Sequence, residues 1–143
     1  MRMLIAMAAV AGLAATASAQ TAPDVKGTWS GPFRTVIWGE NIHHPGQAAG
    51  APAPRVREIT FSLEVEGQDG ALVWGRSWSS PDRKEPFAAI IGADGKTIVG
   101  ADTDGSLTAT IAGADRLELC YTHTGLSPSK SIVASCGTLR RSK

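Results

Sequence analysis

KTIVGADTDGSLTATIAGADRLELCYTHT, residues 96–124, carries the pattern that decides the fold. Leu107, Ala109 and Ile111, then Leu117, Leu119 and Tyr121, recur at every second position, and Thr108, Thr110, Arg116, Glu118 and Thr122 stand at the alternate positions. A period of two marks strands with one buried and one solvated face. Asp104-Gly105 and Gly113-Ala114-Asp115 separate the runs and supply the turn chemistry of tight hairpins. A turn at Asp104-Gly105 sets Asp102 opposite Leu107, Gly100 opposite Ala109 and Ile98 opposite Ile111. A three-residue turn at Gly113–Asp115 sets Ile111 opposite Leu117, Ala109 opposite Leu119 and Leu107 opposite Tyr121. Both registers hold the apolar side chains on one face.

Outward from this stretch, the same alternation divides the chain into eight candidate strands, Lys26–Trp38, Arg55–Glu66, Ala71–Ser79, Pro86–Gly92, Lys96–Thr103, Ser106–Ala112, Arg116–Thr124 and Ser131–Arg140. A two-residue turn at Asp94-Gly95 pairs Ile91 with Ile98, Ala89 with Gly100 and Phe87 with Asp102. A four-residue turn at Gly67–Gly70 pairs Val65 with Leu72, Leu63 with Trp74, Phe61 with Arg76 and Ile59 with Trp78. No segment carries a helical period of useful length, and Gly39–Pro54 reads as a flexible flap of Gly, Pro and Ala. Eight sequential antiparallel strands with one apolar face close economically into an all-β up-and-down barrel, which leaves no exposed edge. A two-sheet β-sandwich is the alternative architecture.

The 143 residues provide for one domain, and 14 Lys+Arg against 13 Asp+Glu give no basic face for nucleic acid. Arg2, the apolar run Leu4–Ala15 and Ala17-Ser18-Ala19 have the layout of a secretory signal cleaved after Ala19, which leaves residues 20–143 as the single barrel domain. No membrane anchor is expected after cleavage, and the destination is periplasmic or secreted. Export gives meaning to the two cysteines. Cys120 and Cys136 lie on neighbouring strand candidates and read as a structural disulfide. The other options, a redox pair or a metal site, call for Cys-x-x-Cys or for more ligands. If the two cysteines face each other, Leu117 meets Leu139, Tyr121 meets Ser135 and His123 meets Val133.

Gly27-Thr28-Trp29 at the start of the first strand and Arg140-Arg141 at the end of the last resemble the calycin group, the lipocalins and avidins. The resemblance implies a barrel whose closed end is sealed by Trp29 with a basic residue, Arg140, packed on it. The biotin-binding set of avidins has no residue-by-residue match, so biotin is not implied. His43-His44-Pro45-Gly46, Leu117–Tyr121 with His123, and Ala134-Ser135-Cys136 look like small exported proteins of soil proteobacteria, a resemblance that implies export and a single domain but no activity.

In such a barrel the loops after strands one, three, five and seven share one mouth. The register puts Phe61, Trp74, Arg76, Trp78, Phe87, Asp102, Tyr121 and His123 on the inner face toward it. An inward Arg76 needs Asp102, water or an anionic ligand, because an unpaired buried charge is costly. Trp74 and Trp78 offer faces for stacking a ring. The competing account is an internal Arg76–Asp102 pair with the tryptophans filling the barrel, and a one-residue bulge in the third strand would turn Arg76 outward. Small residues at mid-barrel (Ala89, Gly100, Ala109, Ser135 and Gly137) either make room for larger neighbours or leave a cavity. His43, His44 and His123 gather at the mouth as metal candidates, but adjacent His43-His44 lacks the spacing that presents two rings to one ion, and the set reads as surface histidines. With no nucleophile elbow and no phosphate loop, the chain is not expected to be an enzyme or to need a cofactor. The expectation is an exported barrel that binds a small ligand. The alternative is a protein-interaction module or inhibitor working through the 39–54 loop.

Overall fold

The period of two becomes eight antiparallel strands in a computed structural model that describes residues 22–39, 53–124 and 131–142. They are β1 (Gly27–Trp38), β2 (Arg55–Asp69), β3 (Leu72–Trp78), β4 (Glu85–Ile91), β5 (Thr97–Asp102), β6 (Gly105–Gly113), β7 (Arg116–His123) and β8 (Ile132–Arg141). Each strand pairs with its sequence neighbours, and β1 pairs with β8, so the sheet is a closed up-and-down barrel. The barrel rather than the sandwich is the architecture.

The interior is built from alternate residues. Trp29, Phe33, Leu107, Leu117, Leu119 and Leu139 are almost wholly buried, and each such side chain contributes about 1.5–3 kcal/mol relative to an exposed one. Small residues in the wall answer to large ones inside. A Cβ on Gly137 would strike the Phe33 ring and the Pro32 carbonyl, and one on Gly100 would crowd Ala89. The mid-barrel glycines therefore make room for packed neighbours, and this section is filled.

The closed end has its own plug. Val25 is buried there beneath Trp29, whose Nε1 donates to the Val25 carbonyl at 2.9 Å. Gln68 holds the plug from the β2–β3 hairpin: its Oε1 accepts from Val25 N, and its Nε2 donates to the carbonyls of Pro23 and Gly70. The Arg141 guanidinium lies 4.5 Å over the Trp29 ring and donates to the Asp24 carbonyl at 2.7 Å. The basic partner of Trp29 is thus Arg141 and not Arg140, which points outward. One residue's difference on a strand exchanges faces.

The Asp94-Gly95, Gly113–Asp115 and Cys120–Cys136 registers match the sequence reading. Two others differ. At the β5–β6 turn, Asp102 Oδ1 accepts from the amides of Asp104 and Gly105, which tightens the turn and sets Gly100 opposite Leu107. That shift of two residues leaves every face unchanged. At β2–β3 the hairpin turns at Gly70-Ala71, with Gly70 in the left-handed region at φ +55° and Asp69 opposite Leu72. A bulge at Glu66, in β2 rather than in β3, then changes the register between Val65 and Gly67. Val73, Gly75 and Ser77 consequently face inward, while Trp74 and Arg76 face solvent. Placing Gln68 to hold the plug requires this register.

Two outcomes follow. Cys120 and Cys136 are disulfide-bonded on the outer face at a sequence separation of 16, so replacing both with Ser should lower stability by about 3 kcal/mol in the chain-entropy model, read from urea denaturation. Gly137→Ala should cost about 1–3 kcal/mol by overpacking against Phe33, whereas Gly113→Ala, with open space at its Cβ, should fall within about 0.5 kcal/mol of the parent in the same experiment.

Candidate functional site

At the end opposite the plug, the interior changes from apolar to polar. Asp102 closes β5, and its position in the turn brings both carboxylate oxygens into use. Oδ1 accepts from Asp104 N at 3.1 Å, from Gly105 N at 2.8 Å and from the Tyr121 hydroxyl at 3.1 Å, while Oδ2 accepts from the Ser77 hydroxyl at 3.2 Å. The carboxylate thus ties together β3, the β5–β6 turn and β7. Beside this hub, Ser135 of β8 donates to Thr35 of β1 at 2.8 Å across the seam that closes the barrel.

Aromatic rings form the floor of this polar layer. Phe33 and Phe61 stack with centroids 4.9 Å apart, and Phe61 meets Tyr121 at 5.9 Å. Burial pushes the Tyr121 phenol well above its ordinary range, and the charge and hydrogen bond of Asp102 add to the effect, with smaller contributions from Glu85 and Asp104. Above the rings is a cavity of about 40 Å³, enough for about three waters. Its apolar wall includes Ile59, Phe61 and Val133, and its rim carries Trp78, Ser79, Arg83 and Glu85. His123 is 3% exposed, lines the cavity, and leaves its Nε2 buried without a hydrogen-bond partner. A buried polar atom in that condition normally has a partner in protein or solvent.

Phe61, Trp78, Asp102, Tyr121 and His123 meet at one cavity, although Trp78 reaches it from the outer parity of β3 and not from the inner face expected of it. Phe87 does not line it and belongs to the buried core opposite Gly75. Trp74 and Arg76 are corrections to the expected lining. Arg76 Nε pairs with Glu66 Oε1 at 3.1 Å on the outer face, so no Arg76–Asp102 pair exists and no inward guanidinium awaits an anion. Trp74 joins an exposed apolar row in which Leu72, Ile90 and Val99 stand side by side across β3, β4 and β5. Trp78 takes the outer parity of β3, with Lys84 Nζ 4.1 Å over its ring, and still reaches the cavity rim.

Ser77 and Ser135 are among the lining residues absent from the expected set, together with Ile59, Ser79, Arg83, Glu85 and Val133. A correctly placed Glu66 bulge would have found Ser77, since it sets Val73, Gly75 and Ser77 on the inner face. Among the described residues, no group of three or more His, Cys, Asp or Glu side chains converges as a metal site does. His43 and His44 lie outside the described residues.

Comparisons with protein-family models, with curated proteins and with solved structures give no match to this chain.

Tyr121 is the sole tyrosine of the chain, so tyrosinate absorbance reports it alone. Its neutral form is favoured by folding. The folded pKa lies above the unfolded value of about 10, so the stability linked to this group is intact below that pH and is lost as pH rises beyond it. The native protein should therefore show no tyrosinate signal through about pH 10. Asp102→Asn, which removes the adjacent charge, should bring the ionisation to lower pH while leaving it above the ordinary range, because burial is the larger cause.

Proposed function

We propose that this protein is a small-molecule-binding barrel of calycin-like architecture whose ligand enters at the mouth formed by the ends of β1, β3, β5 and β7. The observation that carries the reading is His123 Nε2, buried and unpartnered in a cavity at the open end of an otherwise packed barrel. An eight-stranded barrel is wide enough to hold one small ligand, and this one is sealed at the plug and filled through its middle. What remains is a small cup lined by both apolar and polar groups, suited to one end of a small molecule.

Export fits the same reading. The Cys120–Cys136 disulfide is compatible with an oxidising compartment, and the signal-like residues 1–19 would direct the chain there. The alternative, an interaction module acting through residues 39–54, depends on a segment of which 40–52 lie outside the described residues. The cup favours the small-molecule reading.

A titration with a fractionated extract of small molecules, followed by the His123 imidazole resonances and by tryptophan fluorescence, to which Trp78 at the rim contributes, tests the proposal. A binding fraction should move both signals saturably, Arg76→Ala should leave its affinity within twofold of the parent, and His123→Leu should weaken it at least tenfold. An extract that moves neither signal at any concentration would sink the reading.

A further inference from the structure

Three hydroxyl hydrogens at the mouth are already committed, and their directions select a ligand. A serine, threonine or tyrosine hydroxyl has one hydrogen to donate and lone pairs with which to accept. Ser77 spends its hydrogen on Asp102 Oδ2, and Tyr121 spends its own on Asp102 Oδ1. Ser135 donates to Thr35. All three donating residues line the cavity, and Ser77 and Ser135 are themselves buried. What they present to a guest is therefore oxygen lone pairs.

The charges at the wall act in the same direction. Asp102 and Glu85 line the cavity, and Asp104 stands beside them at the β5–β6 turn. The one cationic lining residue, Arg83, is exposed to solvent. An anion entering the cup would meet spent hydroxyls and a carboxylate. A donor-rich cation would find several acceptors, a carboxylate beneath them and the aromatic faces of Phe61 and Tyr121, which attract positive charge. His123 Nε2, whose lone pair is exposed in the Nδ1–H tautomer, would supply a further acceptor.

We infer that the mouth recognises its ligand by a primary ammonium head group, held by Ser77, Tyr121, Ser135 and His123 over the Asp102 carboxylate. This assignment rests on the small-molecule reading above and specifies its ligand class. The cup is small enough that the head group alone enters it, while the remainder of the ligand passes between Trp78 and Arg83 at the rim.

Three probes of matched size, propylammonium, propan-1-ol and propionate, separate the possibilities when each is titrated into the folded protein and followed at the His123 and Tyr121 ring resonances. Propylammonium should bind at least tenfold more tightly than either of the others. Ser77→Ala and Tyr121→Phe each delete one acceptor while keeping the core filled, and each should weaken propylammonium at least threefold without strengthening propionate. Equal binding of all three probes, a preference for propionate, or unchanged affinity for propylammonium in both variants would overturn the assignment. So would three silent probes alongside an extract fraction that moves the same resonances, and in that case the binding reading survives. Silence from both the probes and the extract removes the two together.

Discussion

Closure of the sheet between β1 and β8 is the constraint on which the rest of this molecule depends. Thr35 and Ser135 stand opposite each other and are hydrogen-bonded across 100 positions of sequence. That single seam removes the two edges an eight-stranded meander would otherwise expose, and it fixes the inner circumference. A fixed circumference explains the pairing of bulk with absence of bulk, because Phe33 occupies space that exists only if residue 137 has no side chain. It also explains why the interior is stratified. Once Trp29 and the leucines fill the lower and middle sections, the upper section is left to whatever polar groups its strands deliver.

Much of this was legible in the sequence because hairpin registers propagate. Asp94-Gly95 and the Gly113–Asp115 turn each fix an alternation, and the Cys120–Cys136 pair confirms the last one from an independent chemistry. The β2–β3 hairpin was not legible, since Gly67, Gln68, Asp69 and Gly70 look alike as turn formers and allow more than one loop length. The deciding residue was Gln68, whose amide serves the backbone of residues 23–25, and nothing local to the hairpin announces that duty. One bulge then exchanged the faces of Trp74 and Arg76 with those of Val73, Gly75 and Ser77. The candidate site changed character through a change in register alone: an expected guanidinium gave way to a serine hydroxyl.

Asp102 shows how one carboxylate can organise a site. Two amides and one hydroxyl meet Oδ1 and a second hydroxyl meets Oδ2, so the carboxylate orients its neighbours while its charge stays at the cavity wall. A chain that is near neutral over its length can in this way concentrate a defined polarity in one small place. The same residue holds the β5–β6 turn through the amides of Asp104 and Gly105, which makes the architecture of the mouth and its chemistry inseparable.

The plug carries a topological meaning. Residues 22–26 lie beneath Trp29, and the amide of Ser142 donates to the Thr28 carbonyl at 2.7 Å, so the two ends of the described chain are neighbours at the floor. The barrel is in effect a ring with one covalent gap, and the gap faces away from the mouth. A short linker joining those ends would allow the chain to be cut at another hairpin with the strand order around the barrel unchanged. A passenger fused at either end would hang below the barrel and leave the cup facing solution.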